Sequence, residues 1–425
     1  MKILTGHKQR DRWLSALEER RSASNQEARE SGEEVIRNVR RDGDRAVAQY
    51  IRRFDRISLR PHQIVASPRR VPIKADIERA IDVAITRVQL FHEKQRQPEY
   101  SCSEGGAKVL HRVRPLRRVG VYVPGGKAVY LSTLIMCAVP ARIAGVAEIV
   151  VATPPEAAKQ PELQYAAERL GVKQIYRAGG AAAIAAMALG TRTLERVDKI
   201  VGPGNRYVAA AKQLLSGEVG IDMIAGPTEI VVIADETARP EWVAADLLAQ
   251  AEHGEDTSPV CVASSIDVAR EVNSALTKQV RGGVKGSTRL STGHGAIIVI
   301  ESDAEIISFV NRIGPEHVSV QVKSPTRFAD SIENCAAVFL GGYSAVALGD
   351  YIIGTNHVLP TMGAARFHSP LGVYDFYKRS NVIACTRESF ARVSAHAITL
   401  AEFEGLPLHA ESIRVRGESA SGEES

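Results

Sequence analysis

An acidic residue and a histidine stand side by side in residues 314–320, GPEHVSV, where a Gly-Pro turn leads into an alternating apolar run. Adjacent residues entering a strand point to opposite faces, so Glu316 and His317 can serve different parts of one site. A carboxylate and a neutral imidazole suit proton transfer near neutral pH. The pair therefore indicates acid–base chemistry, although the dipeptide alone fits a solvated polar turn as well.

The stretch DLLAQAEHGED holds a second pair of polar side chains. In a helix, Gln250 and His253 lie on one face, where an amide oxygen and an imidazole nitrogen can reach a single point. A helix that ends at Gly254 accounts for the same residues without any ligand. The pair by itself leaves both interpretations open.

Three further polar residues lie in or beyond a loop-rich stretch that follows Gly349: Asp350, His357 and His409. Asp350 also fits a helix or turn cap, and His409 fits a surface position. A glutamine, a histidine, an aspartate and a second histidine form a set of nitrogen and oxygen donors that suits zinc better than magnesium or calcium. Spacing in the sequence does not show that these donors converge.

Two glycine-rich stretches do not match the usual nucleotide-binding motifs. GVYVPGGKA has Val121 where a Walker loop has its first glycine, and Ala128 where Ser or Thr should bind magnesium. GPGNRY has Gly202 and Gly204, but Tyr207 stands at the third glycine position of the dinucleotide fingerprint. Any nucleotide would therefore bind without the usual glycine-rich helix cap.

The composition limits the class of protein. The chain has 425 residues, 44% hydrophobic and 5% aromatic, and 54 basic against 49 acidic side chains give a formal net charge of +5. At about 100–200 residues per domain, two to four domains are expected. A nucleic-acid surface needs a concentrated basic stripe with stacking aromatics, and the sequence has none. We therefore expect no nucleic-acid partner.

The termini and cysteines bear on location. The N-terminus becomes charged before any apolar signal region forms, and no apolar run approaches the ~20 residues of a membrane span. The five cysteines are scattered, without a C-x-x-C pair. We expect a cytoplasmic protein with reduced thiols and no membrane partner.

The pattern of elements changes along the chain. The first hundred residues are helical in pattern and rich in charge, whereas from Arg117 short β-rich runs alternate with helical runs. Such alternation predicts parallel βαβ units. The number of strands exceeds one ordinary open sheet, so we predict two doubly wound α/β lobes that meet near MIAGPTEIVV and leave a cleft between them. The tail GESASGEES is predicted to be disordered.

Six blocks carry a resemblance to a known family: YVPGG, KIVGPGN, IDMIAGP, DLLAQAEHG, PEHV and GDYIIGTNHVLPT. From about residue 20 to His409 their order and intervals resemble those of the histidinol dehydrogenases. The resemblance implies a zinc-dependent oxidation of L-histidinol to L-histidine through L-histidinal in two NAD-dependent steps, the last steps of histidine biosynthesis. It also implies an intertwined homodimer.

The resemblance assigns roles to the residues. Glu316 would activate water on the aldehyde, and His317 would be the general base for the alcohol. Zinc would be held by Gln250, His253, Asp350 and His409, the last donated across the dimer interface. NAD would contact Tyr122, Ala182 and Asn205. The substrate would contact Ser132, Thr228, Gln250, His253, His317, Asp350, His357, Glu404 and His409.

The resemblance also suggests how the chain divides. The fold class would be α/β, with two Rossmann-like lobes that lack G-x-G-x-x-G and small helical segments at both ends. The predicted segments are an N-terminal helical arm at 1–20, a first lobe with the metal and catalytic residues at 21–121 and 231–372, a second lobe on the NAD side at 122–230, and a helical dimerisation segment with the tail at 373–425.

Two positions depart from the family pattern. GGAAAIA has Ala182 where the family has a glutamine that should contact the cofactor, and AGPTE has Thr228 where the family has serine. One lost hydrogen bond costs about 0.5–1.5 kcal/mol, up to roughly tenfold in affinity. We expect altered cofactor affinity or a divergent substrate, not loss of function.

Three alternatives stay open at this point. A paralogous dehydrogenase would oxidise another small polar alcohol, such as a sulfonated diol. A zinc hydrolase would use Glu316 to activate water and would need no nicotinamide. A zinc-stabilised scaffold would have no activity that depends on His317.

Overall fold

The computed structural model describes residues 1–22, 26–125, 130–282 and 294–421. Two compact units are present: residues 1–96 with 116–376, and residues 97–115 with 377–425. Within the described residues, the larger unit contains two six-stranded sheets and the smaller unit one three-stranded sheet.

The described strands, in chain order, are β1 (Lys2–Leu4), β2 (Val65–Ala66), β3 (Tyr100–Glu104), β4 (Ala107–Pro115), β5 (Arg118–Tyr122), β6 (Glu148–Ala152), β7 (Gln174–Tyr176), β8 (Lys199–Val201), β9 (Gly220–Ile221), β10 (Glu229–Ala234), β11 (Ser258–Ala263), β12 (Ala296–Val299), β13 (His317–Gln321), β14 (Ala337–Leu340) and β15 (Tyr377–Cys385).

The described α-helices are α1 (His7–Ser22), α2 (Gln26–Asp42), α3 (Asp44–Phe54), α4 (Pro61–Ile64), α5 (Ala75–His92), α6 (Leu131–Ala144), α7 (Pro155–Ala158), α8 (Pro161–Arg169), α9 (Gly180–Leu189), α10 (Arg206–Leu215), α11 (Pro240–Ala251), α12 (Ile266–Arg281), α13 (Asp303–Ile313), α14 (Thr326–Ala329), α15 (Val346–Tyr351), α16 (Arg387–Phe403) and α17 (Pro407–Ser421). Short 3-10 helices cover Glu93–Gln95, Ala364–Arg366 and Val373–Phe376.

The first sheet of the larger unit is parallel throughout, in the order β1-β12-β11-β10-β13-β14. Its central strands EIVVIA and SPVCVA are fully buried, as expected for parallel strands covered on both faces. Val231 of β10 belongs to the core on the side of α1 and α13, and its neighbour Val232 to the core on the side of α11 and α12. Helices therefore cover both faces.

The second sheet has the order β2-β7-β6-β5-β8-β9, with β2 antiparallel and the other strands parallel. Helix α9, GAAAIAAMAL, is apolar on almost every side and almost wholly buried. Helices with that composition belong inside a core. Val35 and Val39 of α2 and Val47 of α3 share one hydrophobic core with α9.

This packing corrects the predicted segments at the N-terminus. Residues 26–54 were predicted in the first lobe, but α2 and α3 join the core of the second sheet, and β5 is a central strand of that sheet. Residues 1–20 form no separate arm, because β1 pairs with β12 and Leu14 lies in the core of the first sheet. Helical periodicity identifies an apolar face but not the surface that it will cover.

The smaller unit contains an antiparallel sheet of order β15-β4-β3, followed by α16 and α17. The long pairing of β4 with β15 takes residues 97–115 out of the predicted first lobe and puts a strand into the predicted helical C-terminal segment. The predicted disordered tail, 417–425, is helical as far as Ser421. Residues 422–425 lie outside the described residues.

The prediction of an α/β chain with parallel sheets is confirmed. All five cysteines are unpaired thiols. None of the helices in the described ranges is both long enough and apolar enough to cross a membrane.

Candidate active site

The Glu316–His317 pair lies where α13 turns into β13. Gly314 ends α13 with a φ of 58°, a left-handed conformation that glycine adopts without strain. His317 is the first residue of β13 and pairs with Ile230 of β10. The pair therefore lies at the amino ends of two central strands, and both side chains are buried.

Glu316 is held by two hydrogen bonds. The hydroxyl of Thr228 donates to its Oε2, and so does the backbone N–H of Glu229, at 3.1 Å. Burial raises the pKa of Glu316 to about 8, against the opposing effect of these hydrogen bonds. A carboxyl group with a pKa close to the working pH is suited to take up and release protons.

His317 has one ring nitrogen in use and the other free. Its Nδ1 lies 3.3 Å from the backbone oxygen of Glu229. Because a carbonyl can only accept, Nδ1 carries the hydrogen and Nε2 is the basic nitrogen. Nε2 is buried without a hydrogen-bond partner among the described residues and lies 3.9 Å from Oδ1 of Asp350. Burial lowers the pKa of His317, which keeps the imidazole neutral.

Thr228 connects the acid to the predicted zinc ligands. Gln250, in the last turn of α11, donates its Nε2 hydrogen to the Thr228 hydroxyl, which in turn donates to Glu316. The amide nitrogen of Gln250 is thereby committed, so the amide oxygen is the atom that a cation could use. The hydroxyl of Thr228 is therefore the middle member of this chain of hydrogen bonds.

Asp350 and His357 complete the group. Asp350 lies in α15, and burial raises the pKa of its carboxyl group. His357 Nδ1 donates to the backbone oxygen of Asp350 at 2.8 Å, and its Nε2 lies 3.3 Å from Oγ1 of Thr133. Burial lowers the pKa of His357 to about 4, so the ring is neutral at pH 7. Thr133, one position after the predicted Ser132, was not found from the sequence.

Six of the predicted site residues are connected to one another by contacts within the larger unit: Thr228, Gln250, Glu316, His317, Asp350 and His357. Ser132 lies in the first turn of α6, beside Thr133. His253 follows α11 and is exposed. Glu404 and His409 belong to the smaller unit, where both are exposed.

Among the residues that the structure describes, the predicted zinc ligands do not form a metal site by themselves. No group of three or more His, Cys, Asp or Glu side chains within the described ranges is close enough to hold one. Gln250, His253 and Asp350 nevertheless supply the oxygen and nitrogen donors that zinc accepts. The unpartnered Nε2 of His317 is a buried acceptor, a group that native proteins normally satisfy with a ligand or water. The residues of the larger unit therefore fit zinc in the kind of donor atoms that they offer.

The residues predicted to contact NAD lie at the carboxyl ends of strands in the second sheet. Tyr122 ends β5, and its hydroxyl accepts the backbone N–H of Gly180, the first residue of α9, at 3.0 Å. Asn205 caps α10 by accepting the N–H groups of Tyr207 and Val208. Ala182 is buried in α9. Position 128 of the glycine-rich stretch lies outside the described residues.

A buried ion pair, not found from the sequence, holds the loop before Asn205. Lys212 Nζ donates to Oδ1 of Asp222 and to the backbone oxygen of Gly202, both at 2.6 Å. Oδ2 of Asp222 accepts the N–H of Gly202 at 2.7 Å. Gly202 has a φ of 110°, and a Cβ there would lie 2.2 Å from the backbone oxygen of Tyr122. Only glycine fits this approach.

The chain is similar to known proteins over nearly its whole length. The family model described as histidinol dehydrogenase matches residues 18–417. The histidinol dehydrogenase of Aquifex aeolicus is 41% identical over 95% of this chain and 96% of its own length, and that of Listeria innocua 44% identical over 90% and 92%. The crystal structure of histidinol dehydrogenase from Elizabethkingia anophelis superposes with a TM-score of 0.90 at 32% identity, covering 99% of both chains. The chain therefore belongs to the histidinol dehydrogenase family of oxidoreductases.

Proposed function

We propose that this protein oxidises L-histidinol to L-histidine through L-histidinal, with NAD as the oxidant, in the last steps of histidine biosynthesis. The observation that carries the proposal is the buried Glu316–His317 pair, in which a neutral imidazole presents a free Nε2 beside a carboxyl group of raised pKa. Relatives named histidinol dehydrogenase, over nearly the whole chain, support it.

His317 serves the first oxidation. Its Nε2 accepts the proton of the substrate hydroxyl group as the carbon–hydrogen bond of the alcohol breaks. The imidazolium so formed is stabilised by the carboxylate of Asp350, 3.9 Å away, and by the Glu229 carbonyl that accepts from Nδ1. Burial keeps bulk water from competing for the same proton.

Glu316 serves the second oxidation. Its carboxylate accepts a proton from the water that adds to the aldehyde of L-histidinal. The Thr228 hydroxyl and the Glu229 N–H, which both donate to Oε2, orient the carboxyl group for this step. Glu316 and His317 are neighbours, so one bound substrate can meet the alcohol base and then the water base without leaving.

Zinc and NAD are part of the proposal. Gln250, His253, Asp350 and His409 of the partner subunit would hold zinc. When bound, zinc would help to orient the substrate, and NAD would accept a hydride in each oxidation. Tyr122, Ala182 and Asn205 would lie on the NAD side. The substrate pocket would include Ser132, Thr228, His357 and Glu404.

We also propose how the chain is organised into lobes and subunits. The two six-stranded sheets would be Rossmann-like lobes without the G-x-G-x-x-G fingerprint. The second sheet, which carries Tyr122 and Asn205, would be the NAD lobe, and the first, with Gln250 and His317, the catalytic lobe. The C-terminal segment from about residue 373 would form an intertwined homodimer, and the protein would work in the cytoplasm.

The second candidate is a paralogous dehydrogenase of another small polar alcohol. The observation that favours it is the pair of departures from the family pattern. Ala182 is buried and lacks the amide expected to contact the cofactor. Thr228 has a methyl group beside the hydroxyl that donates to Glu316.

One assay separates these candidates: NADH formation by the zinc-loaded protein with L-histidinol, compared with other amino alcohols and with diols. The proposal predicts two NADH per L-histidinol and L-histidine as product. Brisk turnover of another alcohol with none of L-histidinol would establish the paralogue. Absence of NADH with every alcohol, together with hydrolase activity, would overturn both.

A further inference from the structure

Asp246 of α11 is half-buried one helical turn before Gln250. Its Oδ2 accepts a hydrogen bond from Nε2 of Gln321 at 2.9 Å. The Ser319 hydroxyl and the backbone N–H of Val346 also lie close enough to this carboxyl group to oppose the rise that burial causes in its pKa. One side chain on α11 therefore has partners on two other elements, β13 and α15.

The first of these elements carries the proposed base. Along a strand, alternate side chains point to the same face, so His317, Ser319 and Gln321 of β13 share one face. Nε2 of Gln321 also lies 3.2 Å from Oγ of Ser319. The Asp246 contacts to this row fix the distance between α11 and the strand that begins with His317.

The second element carries Asp350. Helix α15 is only six residues long, and Ala345, at its N-cap position, has no side chain that can cap it. Val346 is its first residue, and its N–H is one of the groups that a helix cannot satisfy internally. The carboxylate of Asp246 lies near this N–H, and its charge suits a helix N-terminus. Asp350 lies four residues further along the helix.

We propose that Asp246 is a positioning residue that ties α11, β13 and α15 together and so holds Gln250, His317 and Asp350 in their working arrangement. The inference rests on the proposed function, because it takes those three residues as zinc ligands and base. Asp246 acts through its neighbours and touches neither the reacting atoms nor the metal.

A contribution to stability does not explain why Asp246 and Gln321 are buried together. A carboxyl group removed from solvent costs free energy, and burial raises the pKa of Asp246 to about 6. Its partner Gln321 leaves Oε1 buried without a hydrogen bond among the described residues. A polar network that is only partly satisfied is less favourable than apolar packing of the same volume. Fixing the three elements gives this network a role that apolar side chains would not fill.

The test compares Asp246→Ala with Asp246→Asn. Alanine removes every contact. Asparagine keeps an oxygen that can still accept from the Gln321 amide or from the Val346 N–H. The matched control is Glu241→Gln, which removes an exposed carboxylate from the first turn of the same helix. Zinc affinity is measured by competition with a chromophoric chelator, alongside kcat and KM for L-histidinol and the melting temperature of the zinc-free protein.

We expect Asp246→Ala to bind zinc at least roughly tenfold more weakly and to lose kcat by a similar factor, as is typical when support for metal ligands is removed. Asp246→Asn should stay within about threefold of the wild type, and Glu241→Gln should match it. An alanine variant whose folded form keeps wild-type zinc affinity and kcat, with only a lower melting temperature, would overturn the inference.

Gln321→Leu keeps the test decisive if the alanine variant does not fold. It removes the Gln321 contact while leaving Ser319 and Val346 beside Asp246, so kcat should fall about fivefold or more with zinc affinity nearly unchanged. Unchanged kcat would contradict the inference. Failure of the proposed function looks different, because the wild-type protein itself would then bind no zinc or leave L-histidinol unoxidised.

Discussion

The hydroxyl group of Thr228 donates a hydrogen bond to the buried carboxyl group of Glu316. The same oxygen accepts a hydrogen from the Gln250 amide. A single hydroxyl therefore orients both Glu316, the carboxyl group proposed to activate water, and Gln250, a proposed zinc ligand. Its two hydrogen bonds require a residue that can donate and accept at once, which serine and threonine can do.

Thr228→Val tests this relationship because valine keeps the shape and removes the hydroxyl. A hydrogen bond to a charged group contributes about 1.5–3 kcal/mol, so kcat for the oxidation of L-histidinal should fall roughly 10–150-fold. Thr228→Ser keeps the hydroxyl and should stay within about threefold of the wild type. Steady-state rates with L-histidinal measure both. Equal rates for the valine and serine variants would show that the hydroxyl is not needed.

The raised pKa of Glu316 predicts how stability depends on pH in the zinc-free protein. Its pKa is about 8 in the folded state against 4.5 for the free side chain. Between these values the folded protein keeps a proton that the unfolded chain releases. The contribution is thus fully present below pH 4.5 and is lost as the pH rises through about 8.

Glu316→Gln should therefore flatten the fall in the free energy of unfolding between about pH 5 and about pH 8.5. Urea denaturation at several pH values measures this slope. The exposed Glu241→Gln serves as the control and should keep the wild-type slope. If the Glu316→Gln variant has the same slope as the wild type, the buried carboxyl group is not the one that titrates.

Glu316→Gln also separates the two oxidation steps. Glutamine keeps the size of the side chain but cannot take a proton from water, whereas His317 and its free Nε2 are unchanged. General-base catalysis is worth about 10²–10⁴-fold, so oxidation of L-histidinal should fall by that range and oxidation of L-histidinol to the aldehyde by much less. Single-turnover NADH formation with each substrate measures the two steps. Equal damage to both would refute the division of labour.

Much of the fold could be predicted because its strands carry a strong signal. The runs EIVVIA and SPVCVA are too apolar to face water on either side, and helical runs stand between them, which predicts parallel strands covered by helices. The Glu316–His317 pair and Gln250 could be proposed for a similar reason, since each lies in a contiguous motif. The helix itself ends at Ala251, before His253.

What could not be predicted depends on tertiary contacts between distant segments. Val35 and Val39 mark an apolar face of α2, but nothing local shows that this face covers α9. The rotation of α6 decides that Thr133, not the adjacent Ser132, contacts His357. Lys212 and Asp222 lie on different elements and share no periodic pattern, so their pairing could be seen only in the structure.

The Lys212–Asp222 ion pair predicts a large effect on stability. Both side chains are buried, with 3% and 1% exposed, so Lys212→Met leaves an unpaired carboxylate inside the protein. Breaking a buried pair from one side costs about 3–5 kcal/mol, which urea denaturation would detect. Adding Asp222→Asn to that variant should recover part of the loss. If Lys212→Met has the same free energy of unfolding as the wild type, the ion pair does not stabilise the protein.

The proposed composite site predicts that two inactive variants can restore each other. A homodimer in which His409 of the partner subunit completes each site makes His409→Ala and Glu316→Gln defective in different halves of one site. In a mixed dimer, one site receives both defects and the other receives none. Co-refolding equal amounts gives half mixed dimers, so about a quarter of the wild-type L-histidine formation should return.

Each variant refolded alone is the control and should stay inactive. Differently tagged subunits verify that mixed dimers have formed. If activity does not return in them, each site is built from one chain, because only donation of a ligand across the interface puts the two defects into the same site.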